Sequence, residues 1–270
     1  VRHLNLDIVL GIICTEVFAQ IVLNVHVRPA WWFVVPTAAW LMYTIDRLLD
    51  VRKQGDQYNT PRHRFHLQHQ RMLWTLVAVI APCTIVAALL FLLPDVWIVG
   101  AVLGSLTLLH VVTQGPGLRQ YRGVIKDATV VIIYTSAVWS VPLLRCSQKP
   151  SAVWLFPAAF LLLATQNVVL FGLMEMRSDE TLDRSSVVRT LGISRSAALL
   201  HACTALIIGI SIVLATSNAP HALAAAAIIV VMTITLEALY ATRRTVAEHE
   251  VYRLIGDGIF YLPALIVLVP

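Results

Sequence analysis

Apolar residues in this chain gather into long runs separated by short polar segments, and that pattern sets the fold class before any single residue does. The runs fall at 6–25, 30–49, 72–93, 96–112, 127–144, 153–175, 196–216, 220–240 and 256–270. Most approach the roughly 20 residues a helix needs to cross a hydrocarbon core about 30 Å thick. The pattern predicts an all-α polytopic membrane helical bundle with about nine transmembrane helices. Eight spans plus a re-entrant or interfacial end is the alternative count. The fourth run is short and calls for tilt or local thinning of the bilayer. The ninth is short as well, and the sequence stops at Pro270, which leaves the natural protein room to continue. The expectation is a single transmembrane domain over 1–270 whose longest polar segments are 51–71 and 176–195. The first of these holds the turn-rich stretch from Gly55 to Pro61, where Thr60 is placed to N-cap a helix with Pro61 at its first position.

Composition agrees with the pattern. Hydrophobic residues make up 58% and charged residues 13%, and the mean hydropathy is +0.77, values of an integral membrane protein rather than a soluble domain. The basic balance, with a pI near 9.2, is spread over several short segments and forms no nucleic-acid patch. Asp7 and Glu16 interrupt the first run and no small-residue cleavage site stands out, so that run reads as a retained span rather than a signal peptide. Cys14, Cys83, Cys146 and Cys203 lack CxxC spacing and read as inert thiols.

Charge then orients the spans. With the N-terminus on the cytoplasmic side, all but three of the 20 Lys and Arg fall on that side, leaving Arg28, Arg145 and Lys149 for the other. Such a bias is the positive-inside signature of a multi-pass protein with a cytoplasmic N-terminus. Trp31, Trp32, Trp97 and Trp154 lie near span starts on the opposite side, where an aromatic belt is expected; Trp74 and Trp139 do not fit that belt.

Candidate chemistry lies where two runs end. Asp46 and Asp50 close the second run, and Glu175 and Asp179 close the sixth. Residues at i and i+4 share one helix face, so each pair presents two carboxylates together. An even number of spans between them puts both pairs on the cytoplasmic side. Four carboxylates brought together would suit Mg²⁺ and anions carried by Mg²⁺, because hard cations take oxygen ligands. The plainer alternative is a pair of helix ends entering the cytosol, with Arg47 as a local partner. His63, His66 and His69, beside Arg62, Arg64 and Arg71, suit a polar interfacial helix, an anion site or a transition-metal site; the other histidines are scattered singly. Lys126 and Asp127 open the fifth run, Lys126 as an anchor or as a cation facing a bound anion. Glu16 and Glu237 lie inside apolar runs, where a carboxylate is costly and marks a functional hypothesis. No Walker loop, GxGxxG, HExxH or GxSxG motif stands where it would carry chemistry.

The segment from Tyr43 to Asp50, with Asp46, Arg47 and Asp50 in register, resembles the first signature of the UbiA-type intramembrane prenyltransferases, N-D-x-x-D-R-x-x-D, which follows the second span. Thr60-Pro61-Arg62-His63 loosely echoes that family's T-x-R-P-like element. The stretch from Phe171 to Asp179 resembles its second signature, D-x-x-Y-x-x-x-D-x-x-x-D, after the sixth span. Motif positions, orientation and span count together carry the resemblance over nearly the whole chain. It implies a UbiA-like bundle in which Mg²⁺ holds the diphosphate of a prenyl donor. Asp46, Asp50, Glu175 and Asp179 would be the metal ligands and catalytic carboxylates. Arg47, Arg62, His63, Lys126, Asn167 and Arg177 would bind the substrate. The implied partners are a prenyl diphosphate, a hydrophobic aromatic or lipid acceptor and membrane lipid.

The sequence departs from the family pattern at defined places. Met42 and Tyr43 stand where Asn and Asp are usual, Glu175 replaces Asp, Phe171 replaces Tyr, and Val168 takes the place of the earliest Asp of the second signature, with Asn167 one residue away. One carboxylate is lost from each motif. Two further readings therefore stay open: a catalytically inactive UbiA-like protein that binds a lipid, pigment or partner subunit, and a histidine-rich membrane metal oxidoreductase.

Overall fold

The computed structural model describes residues 4–54, 61–113, 122–147, 151–181, 186–217, 221–246 and 251–269, and those residues are helical or connecting, with no strand among them. The elements in chain order are α1 (Leu6–Val22), α2 (Trp31–Gln54), α3 (Pro61–Gln68), α4 (Gln70–Phe91), α5 (Pro94–Thr113), α6 (Arg122–Arg145), a 3₁₀ turn (Ser151–Trp154), α7 (Leu155–Thr181), α8 (Val187–Leu191), α9 (Ile193–Ala215), α10 (Ala222–Ala241), α11 (Arg243–Val246), α12 (Val251–Gly258) and a closing 3₁₀ segment (Ile259–Leu268). Six helices among the described residues are long and apolar enough to cross a membrane: Gln70–Phe91, Gly123–Arg145, Ala152–Met176, Ile193–Ala215, Ala222–Ala241 and Val251–Leu268. The protein is thus a helical, multi-pass membrane protein. Its exposed apolar residues, such as Leu90, Ile98, Ile212 and Leu223, are those expected of helices bathed in lipid rather than water.

The polar segments are shorter than their hydropathy predicts. α2 runs on to Gln54 and α3 begins at Pro61, at the position expected for it; Thr60, its anticipated cap, lies outside the described residues. α7 likewise runs past its apolar run to Thr181. The last span begins at Val251, five residues before the expected start, because its first turns carry Arg253 and Asp257 among apolar residues.

The chain divides into two compact units. The first comprises 1–13 and 27–102, the second 14–26 and 103–270. In the first, α2 packs along α4 with α3 against both. Leu41 and Leu48 of α2 meet Leu73 and Val77 of α4, and Ile45, Trp40, Trp74 and Phe65 pack around them. The spacing of Leu41, Ile45 and Leu48 is that of one helix face. The Thr84 hydroxyl of α4 donates to Thr37 Oγ1 of α2 at 3.0 Å.

The second unit is built around α7, which packs on α6, α9 and α10. Its core is aromatic. Phe18, Trp139, Phe156 and Phe160 are buried, and Phe18 and Trp139 each meet both of the other rings and one another, with Trp139 stacked on Phe156 at 6.1 Å and Phe18 5.3 Å from Phe160. Trp139, which fitted no aromatic belt, is therefore a core residue. Trp31 is buried too, whereas Trp32, Trp97 and Trp154 are exposed, as belt residues are.

Candidate functional site

Asp46 lies in the first unit, two turns before the end of α2. The face of α2 that meets α4 is set by Leu41, Ile45 and Leu48. One residue turns a helix by about 100°, so Asp46 stands off that face and remains half-buried. Arg47 is also half-buried, and among the described residues its Nε meets no hydrogen-bond acceptor. Asp50 continues the Asp46 face by one turn, but its side chain lies outside the described residues, as do those of Arg62 and His63. In the neighbouring α3, His66 is 1% exposed and His69 stacks on Phe65 at 4.4 Å. These two rings pack rather than converge, and among the described residues no three His, Cys, Asp or Glu gather where a metal ion would sit.

Glu175 lies in the second unit, near the end of the apolar part of α7. With Phe171 and Asn167 it forms an i, i+4, i+8 stripe, and α12 lies against that stripe. Arg253 Nη2 is 2.9 Å from Glu175 Oε1, and the Tyr252 hydroxyl donates to the same oxygen at 3.3 Å. Arg253 Nε in turn donates to Tyr252 Oη at 3.2 Å, which closes a three-membered ring of contacts. Phe171 meets the Tyr252 ring edge to face at 5.8 Å. The approach is close because residue 256 is glycine: a Cβ there would lie 2.5 Å from Phe171 Cε1 and 3.1 Å from Asn167 Oδ1. That Asn167 oxygen is buried, with no hydrogen-bond donor among the described residues. Asp179 and Arg177 are on the same helix, with side chains outside the described residues. Comparison with protein-family models, curated proteins and solved structures finds no match to this chain.

Lys126 and Asp127, expected at the start of a span, lie in the second turn of α6, which begins at Arg122, and both are half-buried. The Asp127 carboxylate braces the backbone of α8. Val187 N–H donates to its Oδ2 at 2.8 Å, which satisfies a free amide at the start of that helix. Gly123 lets the Ser186 backbone sit where a side chain would otherwise be, and Gly172 does the same for the Val188 side chain. α8 is thereby fixed between α6 and α7. Lys126 sits at this junction, next to a carboxylate already in use.

Two groups carry no signature in the linear sequence. Tyr252 and Arg253 belong to no motif there; only the crossing of α12 over α7, 77 residues apart in sequence, gives them a carboxylate. The second group surrounds Glu237. The His201 imidazole Nδ1 is 3.1 Å from both Glu237 oxygens, and the Thr204 hydroxyl donates to Oε1 of the same carboxylate. Glu237 was visible as an intramembrane acid. Its partners on α9 were not, because no linear spacing links residues 36 apart.

Proposed function

We propose that this protein is a divergent UbiA-like membrane enzyme of about nine transmembrane helices that transfers an isoprenyl group from a prenyl diphosphate to an aromatic or lipid acceptor, with Mg²⁺. The observation that carries this reading is the Glu175–Tyr252–Arg253 group, a carboxylate and a guanidinium held together at the end of an apolar helix. A Mg²⁺–diphosphate site needs both signs: oxygen donors for the metal and cations for the leaving phosphates. Asp46 and Glu175 are oxygen donors of the right kind, with Asp50 and Asp179 one helical turn beyond each. When bound, Mg²⁺ would draw the diphosphate to these carboxylates and help carry its departing charge.

The residues of the chain would do the rest. Arg253, fixed by Tyr252, is set to turn from Glu175 to an arriving phosphate, and its planar fork suits bidentate contact. Lys126, Arg47, Arg62, His63 and Arg177 would add positive charge, and Asn167 an amide. The apolar bundle behind would keep water from the allylic cation left by ionisation. The cytoplasmic placement of both motifs rests on the positive-inside bias of the sequence.

The test is binding of farnesyl diphosphate to the purified protein in lipid nanodiscs, with Mg²⁺ and with a chelator. Saturable, Mg²⁺-dependent binding is expected, weakened at least tenfold by Asp46→Ala and by Glu175→Gln. No binding by the unaltered protein overturns the transferase reading. A second reading draws on the same ion pair: Arg253 already compensates Glu175, as it would in a UbiA-like protein that has lost catalysis and binds an anionic lipid, pigment or partner subunit. Binding that ignores Mg²⁺ but fails in Arg253→Met would favour it.

A further inference from the structure

The polar group around Glu237 has no part in that reaction. It is a chain across α7, α10 and α9. Thr233, fully buried on α10, donates its hydroxyl to Gln166 Oε1 of α7 at 2.7 Å. Gln166 Nε2 donates to Thr204 Oγ1 of α9 at 2.8 Å, and the Thr204 hydroxyl donates to Glu237 Oε1. Each threonine has one proton to give. With Gln166 Nε2 donating to it, Thr204 gives its proton to Glu237 or to the more distant Leu200 carbonyl at 3.2 Å. Gln166 Nε2 also reaches the Thr233 carbonyl at 3.4 Å. His201 completes it from the other side: to meet Glu237, Nδ1 carries the proton, which leaves Nε2 as the outer ring nitrogen.

That outer nitrogen is in an unusual place for a polar group. His201 lies about 12 Å along α9 from Ile193, at 1.5 Å per residue, inside a span of 23 residues. Its side chain is 56% exposed, and among the described residues no hydrogen bond reaches Nε2. The residues that follow on the same face, Ala205 and Gly209, are small and exposed, and a Cβ on Gly209 would meet nothing within 4 Å. Leu206, Ile208 and Ile212 beside them face outward. Toward the helix end the surface turns amphipathic: Tyr240 meets His201 edge-on at 5.5 Å, and Arg243 lies over the Tyr240 ring at 4.4 Å. A polar atom exposed on an apolar helix of spanning length stays costly until something hydrogen-bonds it.

We propose that His201, oriented by Glu237, is a binding site for a hydroxyl-bearing amphiphile dissolved in the membrane, with its apolar tail lying along α9 past Ala205 and Gly209. A hydroxyl is the matching head group because it can donate to the outer ring nitrogen that the Nδ1–Glu237 contact leaves as an acceptor. The anchoring through Thr204, Gln166 and Thr233 holds the carboxylate, and so the imidazole, in one orientation. The site stands apart from the prenyl-transfer reading and does not depend on it.

The experiment uses the full chain, labelled with ¹⁵N-imidazole histidine, in phosphatidylcholine nanodiscs, titrated with 4-dodecylphenol and with its methyl ether. One imidazole resonance, the one missing in His201→Gln, is expected to shift saturably with the phenol and to ignore the ether. Glu237→Leu should raise the midpoint about tenfold, because the ring loses the acceptor that fixes its orientation. Dodecan-1-ol moving the same resonance also supports a hydroxyl site. A His201 signal that responds equally to phenol and ether, or to neither, overturns the proposal. So does a two-copy particle whose His201 signal ignores the phenol, which would give this face to a second copy of the chain. The phenol–ether contrast is read on the unaltered protein and stands even where a variant fails to fold.

Discussion

Gln166 and Asn167 are neighbours on α7, yet they belong to two different polar sites. A step of one residue turns them about 100° apart. Asn167 lies on the stripe with Phe171 and Glu175 that meets α12, whereas Gln166 bonds to α9 and α10. Both sites end on a glutamate near the end of an apolar helix. Glu175 is compensated by a permanent cation, Arg253, in a tight contact closed by a tyrosine. Glu237 is held by a hydroxyl and an imidazole, groups with no fixed positive charge, and its partner opens outward. The first arrangement suits an anion that competes for the guanidinium. The second suits a neutral hydrogen-bonding head group. Arginine keeps its charge at any accessible pH, and histidine does not.

The comparison breaks most sharply at Gly256. A leucine there would drive carbon into Phe171 and Asn167, where even a Cβ lies 2.5 Å from the ring. Overpacking of this kind costs about 3 kcal/mol at the upper end of its usual range. The expected outcome is a lower Tm in nanodiscs and loss of the Glu175–Arg253 contact, seen as weaker farnesyl diphosphate binding. The His201 imidazole resonance should stay where it is, since among the described residues no hydrogen bond runs from α12 to Gln166, Thr204, Thr233 or Glu237, although α12 packs on α10. A shift of both sites together would mean that α7 transmits strain between them and that they are one site.

Gln166→Leu tests the other half. It removes the acceptor of the buried Thr233 hydroxyl and the donor to Thr204 at once. Leaving buried polar groups without partners costs about 2 kcal/mol, less than the Gly256 change because Thr233 can turn its hydroxyl to a carbonyl of its own helix. Thermal unfolding measures the loss. Farnesyl diphosphate binding should be unchanged within twofold, the reverse of the Gly256 outcome.

How much of this was legible in sequence differs between the two sites for a physical reason. Long apolar runs marked the helices well, because a membrane span is a property of consecutive residues. Pro61 announced the start of α3 for the same local reason. Glu175 and Glu237 stood out as acids at or inside such runs. Their partners did not, because Arg253, His201 and Thr204 acquire meaning only where helices cross, and residues distant in sequence meet there by packing. Arg253 was one basic residue among 20, and His201 was one of several scattered histidines. The start of the last span was misplaced because Arg253 and Asp257 lower the hydropathy of a segment whose Tyr252 and Gly256 are nonetheless buried. Asp127 could not be distinguished from an ordinary first-turn acid until the α8 backbone was found against it.

The finest distinction comes from Thr233→Val, which keeps the side-chain volume and removes only the hydroxyl at the inner end of the chain. Thr233 is fully buried, so the substitution adds no exposed surface and opens no cavity. Gln166 Oε1 loses one donor, and its Nε2 keeps Thr204 at 2.8 Å. The net loss should be about 1 kcal/mol, the worth of a single neutral hydrogen bond, read as a small fall in Tm. Its effect on His201 decides whether the chain acts as a unit. If the anchoring passes through Gln166 and Thr204 to Glu237, the phenol midpoint should rise two- to threefold although Thr233 lies four residues from the carboxylate. An unchanged midpoint would confine the orienting role to Thr204 and Glu237 and leave Gln166 and Thr233 as helix-to-helix glue, a common use of polar side chains between membrane helices.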